Sequence, residues 1–409
     1  MEVIVALIFV SGPFNGVLTF ISEPLISPLI LAVSALSLVM FYEFGLRTNV
    51  SITKAKLLII VLLCLMLGLI FLSAIYTSSL TVFVNKALIA LLPVFLCIIL
   101  TLSSNFSAKR FYKWIVYFSV PICLIFAYYF PQWRLGLLDR GAYNLEVIST
   151  LYLGIGGLCG FCILILIIDS PFASKSISWT MIVLFMVILF LSSARAPLFF
   201  TLLGLAVYLC YATCNMLRSG LVRKDVLSYP ALFLIFLACM LQLSGKFNKD
   251  TIDVLLMSLD RITMLLDSNK GASVNTRFEL LSSALATIND NYMFGTGIGS
   301  FGVEVLALDK FTHPHNIFIE AWFELGLLAL FVMIVFFISS LYLAASSKNI
   351  LLFTLLVYLW MNAAKSFSFA ENRQLFLLIG LVVSFHGQYF LKKSKFYVSK
   401  QTRVNVAQH

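Results

Sequence analysis

Charge is what this chain has least of. Lys, Arg, Asp and Glu make up 11% of its 409 residues, against 61% hydrophobic residues and a mean hydropathy of +1.02. A soluble domain cannot bury that share of apolar side chains, so the solvent must be lipid. Ten-residue alternations of apolar and polar residues are lacking too, which excludes a transmembrane barrel. In their place are unbroken apolar runs of roughly 17–22 residues, the length at which an α-helix crosses a bilayer with its backbone satisfied internally. The fold class is therefore all-α, a polytopic transmembrane helical bundle.

About twelve spans are read, near 2–21, 25–44, 57–76, 82–101, 114–130, 150–168, 177–193, 197–214, 228–244, 318–343, 350–366 and 374–391. The first, with Pro13 and Asn15, and the fourth, with Lys86, are weakest by composition. Lys and Arg gather in one set of connections and in the C-terminal tail, among them Arg47, Lys109, Arg110, Arg223, Lys224, Lys392 and Lys393. That bias places this side and both termini in the cytoplasm. One long insertion, residues 245–315, then lies on the outer side. The chain divides into spans 1–9 (residues 1–244), the loop, spans 10–12 (residues 316–391) and a basic tail (residues 392–409).

Other absences narrow the function. No internal repeat is visible, which argues against an inverted-repeat transporter. No Gly-x-Ser-x-Gly elbow marks a hydrolase. All eight cysteines fall inside predicted spans, with helical spacing at Cys159/Cys162 and Cys210/Cys214, so they read as packing residues rather than disulfides or metal ligands. The first span lacks a small-residue cleavage site and runs at once into a second, so it reads as an anchor. The net charge of +10 is spread over short loops and a tail. Positive-inside topology accounts for it, and nucleic acid is not an expected partner.

The loop has its own structure. Asp253, Asp260 and Asp267 recur every seven residues opposite an apolar face from Val254 to Leu266, which predicts an amphipathic helix at the membrane surface. A second amphipathic helix is predicted from Thr276, where Thr276-Arg277-Phe278-Glu279 has capping-box spacing, to about residues 289–291. Phe278, Leu281, Leu285 and Ile288 would form its apolar stripe. The run Gly295-Thr296-Gly297-Ile298-Gly299 follows. It is either a plain turn or one whose amides approach a phosphate, and no strand precedes it to suggest a dinucleotide fold.

Charges at the membrane edge need a reason. On the external face these are Arg140, Arg195, Arg277, Lys365, Arg373, Glu320 and Glu324. Arg195 sits in Ser192-Ser193-Ala194-Arg195-Ala196-Pro197, a hinge between two apolar spans. It either snorkels or holds an anion, for which its planar fork suits phosphate oxygens. Arg277 lies near the predicted helix start, where a cation opposes the helix dipole by roughly 0.3–1 kcal/mol. An ion pair with Glu279 or an Asp competes there with a ligand-directed role.

Two of only four histidines close the loop in Thr312-His313-Pro314-His315-Asn316. Asn316 is placed to N-cap the next helix. Glu320 and Glu324 follow at i, i+4 spacing, sharing one face from which to orient the imidazole or pair with an arginine. A metal site built on His-x-His lacks further ligands at suitable spacing. A structural pair and a catalytic base both stay open.

In this order and spacing the segments resemble the O-antigen polymerase and ligase superfamily, over roughly residues 140–380. The matching parts are Ser-Ala-Arg-Ala at Arg195, Asn275-Thr276-Arg277-Phe278, the glycine turn, His313-Pro314-His315-Asn316-Ile317-Phe318-Ile319-Glu320 and Glu324-Leu325-Gly326. The form around His315 is closer to the polymerase branch, for O-antigen or for a capsule or exopolysaccharide.

The resemblance implies glycosyl transfer from an undecaprenyl-diphosphate-linked glycan donor to an acceptor at the periplasmic face of the bacterial inner membrane. Arg195 and Arg277, with Arg140, would hold the diphosphate, and His315, or else His313, would take the acceptor proton. Asn316, Glu320, Glu324, Gly297, Gly299 and Arg373 would support them. No cofactor or metal is implied, and membrane lipid, a polysaccharide chain-length regulator and a flippase are the implied partners. The rival class is a flippase or transporter for lipid-linked sugars, which expects charge near the membrane midplane.

Overall fold

The computed structural model describes residues 2–21, 52–103, 106–134, 145–219 and 272–387. The predicted spans at 25–44 and 228–244, the amphipathic helix at 253–267, Arg140 and the basic tail lie outside them. Twelve α-helices and no strand occur among the described residues. Seven helices are long and apolar enough to cross a membrane, and three shorter apolar helices accompany them. The protein is a multi-pass helical membrane protein.

The helices are α1 (Glu2–Ile21), α2 (Lys54–Leu72, continued by a 3-10 turn Ser73–Ile75), α3 (Leu80–Leu102), α4 (Ala108–Arg134), α5 (Leu145–Ile168), α6 (Lys175–Leu191) and α7 (Arg195–Ser219). They are followed by α8 (Ala272–Asp290), α9 (Phe301–Leu306), α10 (Ile317–Ser346), α11 (Ile350–Ser366) and α12 (Arg373–Gly387). The two weakest spans by composition both form helices. α1 continues through Pro13 and α3 through Pro93.

The chain divides into two compact units. The first comprises Met1–Ala35, Ser107–Glu279 and Val357–Lys365, and the second Leu36–Phe106, Leu280–Leu356 and Ser366–His409. In the first unit α5 packs on α1, α4, α6 and α7. Phe9 of α1 bridges α4 and α5, with ring centroids 6.0 Å from Phe111 and 4.6 Å from Phe161. In lipid there is no hydrophobic drive between helices, so close approach over small residues does this work. Gly156 and Gly160 on α5 provide it. A Cβ on Gly156 would sit 2.6 Å from Ala194 Cβ, and one on Gly160 would collide with Thr201 and Tyr358. The Tyr358 hydroxyl donates to the Gly157 carbonyl at 2.9 Å.

In the second unit α2 packs on α3 and α10. Gly380 of α12 lies against the Cys97 backbone of α3, and Ser384 Oγ donates to the Ser103 carbonyl at 2.6 Å. Rows of large apolar side chains stay exposed, such as Leu57, Val61 and Leu65 on α2 and Phe331, Ile338 and Tyr342 on α10. Such rows would be a liability in water, whereas in a bilayer they are the lipid-facing surface.

Candidate active site

The histidine motif belongs to the second unit. Asn316 has extended backbone (φ −149°, ψ 116°), and its side-chain oxygen accepts the Phe318 and Ile319 N–H groups at 3.0 and 3.1 Å. The N-cap read from the sequence is thus formed, an interaction of about 1 kcal/mol. Immediately before it His315 has φ +56°, a left-handed conformation uncommon for residues other than glycine. This bend brings the His313 and His315 rings edge to face with centroids 4.5 Å apart.

His315 Nδ1 lies 3.4 Å from the Ser366 carbonyl oxygen. A carbonyl only accepts, so the contact selects the Nδ1–H tautomer and leaves the Nε2 lone pair to take a proton. Burial pushes the His313 imidazole down to about 4, so it is neutral at physiological pH. Its Nε2, Thr312 Oγ1 and Ser366 Oγ are buried atoms with no hydrogen-bond partner among the described residues. An unsatisfied buried polar atom costs about 1–3 kcal/mol. Three of them fall in Thr312, His313 and Ser366, the residues around the His315 imidazole.

Behind the motif the second unit holds a buried ion cluster. Lys86 on α3 is fully buried, and its Nζ donates to Glu320 Oε1 at 2.6 Å and to Glu324 Oε1 and Oε2 at 2.7 and 2.8 Å. Both glutamates are also fully buried. Their i, i+4 spacing does put them on one face of α10. The partner is Lys86, however, rather than an arginine or an imidazole. Glu320 further accepts the Ser368 hydroxyl at 2.6 Å and the Phe369 N–H at 2.9 Å. The Phe311 and Phe369 rings flank the ammonium at 5.3 and 5.4 Å. Dense pairing of this kind is what offsets the several kcal/mol that each buried ion costs.

The glycine run next to this cluster proves to be a clasp. Gly295, Gly297 and Gly299 have φ of 73°, 92° and 81°. The amides of Gly295, Thr296 and Gly297 donate to the carbonyls of Asn291, Phe323 and Glu324 at 2.9, 2.9 and 2.8 Å. Ile298 N–H donates to Ser73 Oγ at 3.2 Å. These amides are spent within the protein, which removes the phosphate-nest reading. A Cβ on Gly297 would collide with Thr77, and one on Gly299 would come within 2.9 Å of Val82. Gly297 and Gly299 therefore seat the turn against the residues leading into α3. There Thr77 Oγ1 donates to the Ile298 carbonyl at 2.9 Å.

Arg195 and Arg277 belong to the first unit. Arg195 is the first residue of α7, entered through Ser193 at φ +55°, and the turn is pinned by Ala194 against Gly156. Arg277 stands in the second turn of α8, because that helix begins at Ala272, earlier than the capping box implied. Thr276 is thus not a cap, and Arg277 escapes most of the dipole penalty, which fades after the first turn. The predicted apolar stripe of α8 is also rotated. Ala284 and Ile288 are buried with Phe301 and Phe323, while Phe278 and Leu285 are exposed.

In the first unit Arg195, Arg277 and Lys365 share one electrostatic neighbourhood, with both arginines acting on the Lys365 ammonium at the end of α11. Lys365 stood in the sequence only as one more edge charge, and its grouping with the two arginines needed the fold. Arg373 is not part of this group. It opens α12 in the second unit, where its opposite charge is Glu371.

A comparison with curated proteins finds no match. Residues 180–334, which include Arg195, Arg277, both motif histidines and both buried glutamates, match the Wzy_C family model, described as O-antigen ligase, in agreement with the superfamily resemblance read from the sequence.

Proposed function

We propose that the protein is an O-antigen-type polymerase, a glycosyltransferase that joins undecaprenyl-diphosphate-linked repeat units at the periplasmic face of the inner membrane. The observation that carries this reading is the grouping of Arg195, Arg277 and Lys365. A group of cations in one unit suits a polyanion, and a diphosphate is such a ligand. His315 supplies the other requirement. Its Nε2 accepts the proton of the acceptor hydroxyl as that oxygen attacks the anomeric carbon. The bond from that carbon to the diphosphate oxygen breaks, and the electron pair leaves with the undecaprenyl diphosphate, whose charge the arginines stabilise. Direct displacement inverts the anomeric centre. The unsatisfied Thr312, His313 and Ser366 atoms fit recognition of a sugar acceptor.

A second reading, ligation of finished polysaccharide to lipid A-core, is favoured by the description of the matched family. Purified protein given lipid-linked repeat units, with and without lipid A-core, separates the two. A ladder from repeat units alone is the expected result. Product only with core makes it a ligase, and no product in either case overturns the transferase and leaves the flippase to be tested in vesicles. His315→Ala is expected to lower kcat by about 10²–10⁴-fold with donor binding retained. Lost binding with normal turnover of the residual complex would remove the base assignment.

A further inference from the structure

The mechanism above leaves the buried Lys86–Glu320–Glu324 cluster without a task. Stability alone does not explain it, since well-packed apolar residues commonly serve as well as a buried ion pair. Its contacts point instead at the two segments that frame the imidazole. Phe311, on one side of the ammonium, lies two residues before His313, with ring centroids 6.2 Å apart. Phe369, on the other side, is tied with Ser368 to Glu320. Ser366, whose carbonyl faces His315 Nδ1, lies two residues before Ser368.

We propose that this cluster is the positioning device of the base, holding residues 366–369 against residues 311–315 so that the Ser366 carbonyl keeps His315 in its Nδ1–H form. Lys86, Glu320 and Ser368 are then positioning residues that act through His315. The inference rests on the reading of His315 as the base. Its scale follows from the sensitivity of proton transfer to placement, where a shift of about 1 Å costs on the order of 10²-fold.

Lys86→Met alone would strand two buried carboxylates and risks losing the fold. The test therefore uses two milder variants of the full-length protein, assayed on lipid-linked repeat units. Lys86→Met/Glu320→Gln/Glu324→Gln removes all three charges together and keeps the volumes. Ser368→Ala cuts one tie and leaves every charge paired. The expected result is folded protein with donor KM within about 2-fold of wild type. kcat should fall by about 10- to 100-fold in the triple variant and by about 5-fold in Ser368→Ala. The ¹⁵N shifts of the imidazoles should show His315 losing its Nδ1–H preference in the triple variant. Wild-type kcat and an unchanged tautomer in both folded variants would overturn the proposal. His315→Ala serves as the reference. If it turns over normally, the base reading fails, whereas a dead His315→Ala beside fully active cluster variants defeats only the positioning role.

Discussion

Arg195→Ala and Arg277→Ala should each lower glycosyl transfer by about 10²–10³-fold, the size typical for removing one preorganised group that stabilises developing charge. Both residues are only partly buried, so both variants should accumulate in the membrane as folded protein. Arg→Lys at either position keeps the charge and loses the two-pronged geometry, and should recover only part of the rate. Lys365→Ala should do less, because an ammonium is a point charge without the two-pronged fork of a guanidinium. The measurement is the length distribution of the lipid-linked product together with donor titrations. A normal ladder from both alanine variants would remove the diphosphate clamp.

Gly326→Ala should destabilise the fold by on the order of 3 kcal/mol, far more than a glycine replacement usually does. Its backbone (φ 82°, ψ −176°) lies in a region essentially reserved for glycine, and it interrupts α10. An added Cβ would collide with the Met293 carbonyl, at the point where Leu327 N–H donates to the carbonyls of Tyr292 and Met293 at 3.0 and 3.2 Å. Forcing it aside would pull the 295–299 clasp from the Glu324 end of the ion cluster. Gly68→Ala is the control. Nothing lies within 4 Å of a Cβ there, and α2 should gain roughly 0.5–1 kcal/mol of helix preference. Thermal unfolding of both variants in detergent should separate them clearly. Equal melting points would show that the interruption carries no load.

Much of this protein is written locally. The apolar runs specify the helices, because lipid leaves the backbone no other partner than itself. Asn316 is legible as a cap because its task lies two and three residues away. What failed to show was long-range. Lys86 stood out only as a charge that weakens its span, because its carboxylate partners stand far along the chain, 238 residues later for Glu324, with nothing near Lys86 announcing them. The glycine run could be read either as a plain turn or as a phosphate turn because its acceptors, Ser73 and Glu324, come from distant helices. Thr276 and the Phe278/Leu285 stripe misled for a different reason. Capping and amphipathicity rules assume an aqueous exterior, and beside a bilayer exposed apolar side chains are not penalised. One signal was present and unused. Gly156 and Gly160 in an apolar run have the small-residue spacing of close helix pairs.

The interruption at Gly326 also acts as a ruler for depth. An unbroken α10 of 30 residues would be roughly 45 Å long, too long for a hydrocarbon layer of about 30 Å. The stretch after the break, residues 327–346, is about 20 residues and roughly 30 Å, which fills that layer by itself. On the proposed reading, the part before it, with Glu320 and Glu324, would stand in the headgroup zone. That is the level at which the phosphates of a polyprenyl diphosphate ride while its tail stays dissolved in the leaflet. Substrate would thus arrive by diffusion in the plane of the membrane, already at the height of His315. Encounter would depend on the density of lipid-linked glycan per unit area of membrane.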